Sequence, residues 1–122
     1  MAIVQLTLDY PSGAKAFQDT DLEAVAVAVK AASAVLYMIE IDNAANAAEA
    51  EYVKIYNTAG AVVPGTTVPD LVILIPAAVK RTLIWPEGLT LGTGLAILAS
   101  TTGGTICTAA PTASLIVRVV YA

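Results

Sequence analysis

Closely spaced acids are the residues in this chain whose type and spacing could do chemistry. Glu40 with Asp42, and Glu49 with Glu51, stand two residues apart. On a strand each pair would project from one face, because side chains alternate along extended backbone. Two carboxyls held that way can divide general acid and base work on a glycosidic bond. Both pairs adjoin turn residues, where solvated acids are common, so catalysis is not the expectation. Asp19, Asp21 and Glu23 repeat the spacing and look like part of a calcium loop. The glycine and the terminal bidentate glutamate of an EF-hand are missing, which leaves a solvated loop or strand entrance as the simpler reading.

The remaining chemistry is sparse. With no histidine in the chain, Ser–His and Cys–His nucleophiles have no base. Cys107 is the single cysteine; it excludes an internal disulfide framework and suits a buried small hydrophobe. No catalytic residue, metal or cofactor is expected, and an enzyme is the least expected class. Tyr10, Tyr37, Tyr52, Tyr56, Trp85 and Tyr121 could line a sugar-binding face, with Tyr52 and Tyr56 on one side of a strand. Roles in a core or a subunit interface explain them equally well.

Composition narrows the partners. Charged residues are 13% of the chain, whereas a freely solvated surface typically carries ~25–35%. An oligomer or a docked subunit is therefore expected over a monomer. Net charge is −4, and Lys80-Arg81 is the only adjacent basic pair, so nucleic acid is an unlikely partner by charge. No run approaches the ~18–20 apolar residues of a membrane helix; the best, Leu71 to Val79, is broken at Pro76. The N-terminus has no basic n-region and Asp9 interrupts its apolar stretch, so no signal peptide is expected and synthesis is placed in the cytosol.

The elements that must position these residues read as strands. Ile3, Gln5, Thr7 and Asp9 alternate with Val4, Leu6 and Leu8, ending at Tyr10-Pro11-Ser12-Gly13. Alternation predicts strands near 23–30 and 34–42, hinged at Ala31-Ala32-Ser33. In the second, Val35, Tyr37, Ile39 and Ile41 oppose Leu36, Met38, Glu40 and Asp42. Asn43-Ala44-Ala45-Asn46 signals a loop, Ala47 to Glu51 could hold one helical turn, and Tyr52 to Asn57 alternates again. Leu71 to Ile75 reads as a short strand buried on both faces. Lys80 to Trp85 follows, with Leu83 and Trp85 on one face, closed by Pro86-Glu87-Gly88. Leu95 to Ser100 and Ser114 to Tyr121 complete about eight short strands separated by Gly/Pro turns. The expected fold is one all-β domain over 1–122, an antiparallel β-sandwich of jelly-roll type or a small barrel.

Several segments together resemble a known family. They are Tyr37-Met38-Ile39-Glu40-Ile41-Asp42-Asn43, Tyr52-Val53-Lys54-Ile55-Tyr56-Asn57, Val63-Pro64-Gly65-Thr66-Thr67-Val68-Pro69-Asp70 and Ala78-Val79-Lys80-Arg81-Thr82. Trp85-Pro86-Glu87-Gly88-Leu89, Gly92-Thr93-Gly94-Leu95 and Thr101-Thr102-Gly103-Gly104-Thr105 complete the set. The pattern is similar to small structural proteins encoded by tailed bacteriophages, including cyanophages. The resemblance implies a virion component, a capsid cement or decoration protein of β-sandwich type on the outer capsid surface. Its partner would be the major capsid protein, and it would act as a homo-oligomer. The motifs are turns and strand ends, so no binding residue transfers with them. The terminal alternating strand Ile3, Val4, Gln5, Leu6, Thr7 and Leu8 is the expected contact, since terminal strands often lie at sheet edges. The competing expectation is a carbohydrate-binding or structural module of a phage tail or head fibre.

Overall fold

Alternating apolar positions need a second apolar layer to cover them, and here two sheets supply it to each other. The computed structural model describes residues 13–122. Eight strands run in order: β1 (Lys15–Asp19), β2 (Val27–Lys30), β3 (Ala34–Asp42), β4 (Glu51–Tyr56), β5 (Leu71–Ile75), β6 (Lys80–Leu91), β7 (Leu95–Ser100) and β8 (Ile116–Tyr121). Sheet I has the order β1-β8-β3-β6 and sheet II the order β2-β7-β4-β5. All pairs are antiparallel. This is the strand order of an eight-stranded jelly roll. Only β4 and β5 are both consecutive and hydrogen-bonded; every other connection between successive strands crosses from one sheet to the other.

The core lies between the sheets. Leu36, Ile39, Ile41, Val117 and Val119 from sheet I meet Val53, Ile55, Ile75, Leu95 and Ile97 from sheet II, all buried. Each such side chain contributes roughly 1.5–3 kcal/mol through loss of water contact. A second, smaller cluster of Tyr56, Ala96 and Leu98 lies on the other side of sheet II, with Val62 and Cys107 packed against it. Strands β4 and β7 are consequently covered on both faces.

Several expectations change. The strand expected at 3–8 lies outside the described residues, while Lys15–Asp19, an exposed edge strand with weak apolar patterning, was not anticipated. The strand expected over 23–30 begins only at Val27, and no helical turn forms before Glu51, which opens β4. The strands covered on both faces are β4 and β7, the latter with all six residues buried, whereas β5 is an edge strand among the described residues with Leu74 exposed.

A further change is at a bulge. Leu36 pairs with Leu89 but Met38 pairs with Ile84, so Tyr37 stands opposite four residues, Trp85 to Gly88. On the other side of β3, Leu36 pairs with Tyr121 and Met38 with Val120. The extra residue reverses the alternation, so Leu36 and Ile39, expected on opposite faces, both point into the core. The same bulge lets β6 continue through Pro86-Glu87-Gly88 instead of ending there. Proline is tolerated because β6 is an edge strand and the bulge makes no ladder demand at that position.

Candidate functional site

Asn43 and Asn46 lie in the loop that follows β3, where a few backbone bonds, such as that from the Ala78 N–H to the Asn46 carbonyl (3.0 Å), are supplemented by their side chains. Asn43 Nδ2 donates to the carbonyls of Glu49 (3.0 Å) and Pro76 (3.1 Å). Asn46 Nδ2 donates to Asn43 Oδ1 (2.9 Å) and the Ala113 carbonyl (3.0 Å). The Ala113 N–H returns a bond to Asn46 Oδ1 at 2.8 Å. Both asparagines are buried. They clamp three connections at one end of the sandwich: residues 43–50, the turn after β5, and the approach to β8.

The Glu49 and Glu51 pair sits in this clamp. Glu49 accepts from the Thr112 N–H (2.9 Å) and Thr112 Oγ1 (2.8 Å). Glu51 faces the core, fully buried, and no donor among the described residues reaches either carboxyl oxygen. With no such donor to stabilise its anion, Glu51 favours the neutral form. Burial pushes its pKa up to about 8, reinforced by the hydrogen bond to Glu49 and its charge. Glu49 is held below the ordinary carboxylate range by Glu51 first and then by Thr112. Below pH 8 the pair is then a neutral, buried Glu51 beside an ionised Glu49. A surface cleft beside it is lined by Asn46, Glu49 and Thr112, yet Glu51 lies beyond solvent contact, so no sugar ring can sit between the carboxyls.

The other acids are tied up differently. Glu40 Oε1 accepts from Arg118 at 2.6 Å and lies 3.6 Å from Lys80 Nζ. Asp42 accepts from the Ala44 N–H (3.0 Å), and Asp19 from the Asp21 N–H (2.8 Å). Among the described residues no group of three or more His, Cys, Asp or Glu could hold a metal ion. The resemblance of Asp19, Asp21 and Glu23 to a calcium loop is therefore met by a local turn.

Tyr52, Lys54 and Tyr56 share the outer face of β4, as the alternation predicts, but this face is roofed over. Gly103 packs so closely on the Tyr52 ring that a Cβ there would lie 2.9 Å from Tyr52 Cε1. Tyr56 is 1% exposed. The two tyrosines thus form no open stacking platform for a sugar. Lys54, fully buried, donates through Nζ to the Ile106 carbonyl, and burial lowers its pKa. Sequence reasoning missed this lysine; the signal was its position between Tyr52 and Tyr56 on one face of an alternating strand. The Tyr56 hydroxyl is buried without a hydrogen-bond partner among the described residues, and burial raises its pKa. Removing an unsatisfied hydroxyl relieves its desolvation cost, so Tyr56→Phe is expected to stabilise the protein by about 1 kcal/mol. A loss of stability in urea unfolding would show that the hydroxyl has a partner in solution.

Where the two sheets end in β5 and β6, a cleft of about 350 Å³ is lined by Leu71, Trp85, Leu89 and Leu91, with Asn57 and Asp70 at its polar side. Both polar side chains are engaged: Asp70 accepts from the Asn57 N–H (2.7 Å), and Asn57 from the Thr93 N–H (2.9 Å). The polar side chains at the clamp and at this cleft hold backbone in place. No protein-family model matches the sequence, and no curated protein matches it either.

Proposed function

We propose that the protein is a capsid cement or decoration protein of a tailed bacteriophage, binding the outer capsid surface and stapling neighbouring major capsid subunits. The observation that carries this reading is the jelly roll with its outer strand edges unpaired among the described residues. Jelly rolls recur in viral capsid and lectin domains, although a fold hosts many functions and supports the reading only as analogy. The motif resemblance from Tyr37 to Thr105 adds to it. A subunit that binds only the assembled lattice stabilises that lattice by mass action, and many symmetric copies make modest contacts sufficient.

The expected contact is Ile3, Val4, Gln5, Leu6, Thr7 and Leu8. This segment precedes β1, an edge strand of sheet I, and exposed edges accept added strands. The test is cosedimentation of the purified protein with expanded capsids that lack it, scored for bound copies and heat resistance. Saturable binding that raises the rupture temperature is expected. Deleting Ile3–Leu8 should abolish binding while leaving the thermal midpoint of the free protein within a few degrees. Full occupancy after deletion would assign the contact elsewhere, and no binding to a competent shell would overturn the cement reading.

A further inference from the structure

Charge is distributed unevenly over the two outer faces of the sandwich. From Asn57 to Pro69, and again from Thr101 to Leu115, the sequence contains no Asp, Glu, Lys or Arg. These two segments form much of the roof over sheet II: Val62 and Cys107 pack on its outer cluster, and Gly103 packs on Tyr52. They adjoin each other, since a Cβ built on Gly65 would lie 3.8 Å from the Cys107 nitrogen. A groove lined by Val25, Ala28, Ala61 and Pro64 continues the surface to β2. The charged side chain beneath, Lys54, is fully buried and bonded to the Ile106 carbonyl.

Large apolar side chains stand open on this roof. Val25, Val63, Val68 and Ile106 are 69%, 54%, 70% and 62% exposed. Sheet I is mixed in character, with Gln18, Arg118, Glu40 and Lys80 linked across its outer face and Ile84 the exposed large apolar side chain of its strand β6.

We infer that the uncharged roof of sheet II is the surface through which two copies of this chain associate. A two-fold interface sets a patch against itself, so any net charge there would face its like. A partner recognised by complementary charge would find nothing to pair with. Without Asn57 at the β5–β6 cleft and Thr112 to Leu115 at the clamp and core, the two segments contain roughly 23 residues, within the ~20–30 that a stable interface draws from each side. The inference stands apart from the capsid reading, because self-association needs no lattice.

The test is sedimentation equilibrium of the purified chain across a wide concentration range. A reversible dimer is expected. Val63→Asp with Ile106→Asp should weaken it at least tenfold, whereas Lys80→Glu on sheet I should leave it unchanged. Hydrogen exchange of the unaltered protein supplies a second readout that needs no variant. Amide protection over 61–68 and 101–109 should rise with protein concentration, while that of β1 and β6 should not. A monomer at every concentration would overturn the inference. So would a dimer indifferent to the double variant, or a monomer whose capsid binding the double variant removes, which would give the roof to the capsid.

Discussion

Glu51→Gln is expected to stabilise the protein at pH 8 by about 2 kcal/mol or more and to remove most of its pH dependence between 5 and 8. Glu51 is fully buried, and its pKa is raised from 4.5 to about 8, chiefly by burial. A carboxyl raised in this way binds its proton more tightly folded than unfolded. Its contribution is complete below 4.5 and declines as pH rises through 8, at up to about 1.4 kcal/mol per pH unit. Glu49, held low, acts in the opposite sense and only at the acid end. No histidine titrates in the window, because the chain has none. The unaltered protein should therefore lose thermal stability steadily from pH 5 to pH 8. The glutamine variant should hold nearly constant, because its side chain does not ionise. A flat profile in the unaltered protein would mean that Glu51 is ionised and hydrated, with the 43–51 connection open in solution.

Gly88→Ala is the second large effect, expected to cost about 2–4 kcal/mol. Gly88 has φ +82°, in the left-handed region, and an added Cβ would lie 2.3 Å from Val35 Cγ1 and 3.0 Å from Tyr37 Cε1. Backbone strain and overpacking therefore act together. Gly104→Ala separates them: its φ is +63° but nothing lies within 4 Å of the added carbon, so about 1 kcal/mol is expected. Gly92 has neither the positive φ nor a close neighbour, and its alanine variant should be nearly neutral. Urea unfolding of the three variants tests the order. Equal costs at Gly88 and Gly104 would show that Val35 and Tyr37 give way, and that the β3–β6 bulge is softer than its packing indicates.

Both effects arise where local pattern and tertiary placement part company. The bounds of β3, β5 and β7 match those read from the sequence, where alternation marked β3, a continuous apolar run marked β5 and flanking glycines marked β7. Alternation could not show that Leu36 and Ile39 share the core, since a bulge depends on what β6 and β8 place opposite Tyr37. Pro86-Glu87-Gly88 is a sound stop signal in isolation. An edge strand with room for a bulge overrides it.

The candidate site divides along the same line. Glu49 and Glu51 were recognisable as a pair by spacing, and Asn43 and Asn46 as loop formers by type. Their joint role was not, because Thr112 and Ala113, which complete the clamp, come from the far end of the chain. Tyr52 and Tyr56 were correctly placed on one face; what covers that face depends on two long-range loops.

The sequence by itself determined the all-β class, through alternation punctuated by glycine and proline, and removed imidazole chemistry, through the absence of histidine. Only the tertiary structure decided which face of each strand meets the core, that Glu51 and Lys54 are buried, and which surface is left without charge. The physical reason is that alternation is a property of neighbouring residues. Burial, register and proton affinity are set by groups that folding brings from dozens of positions away.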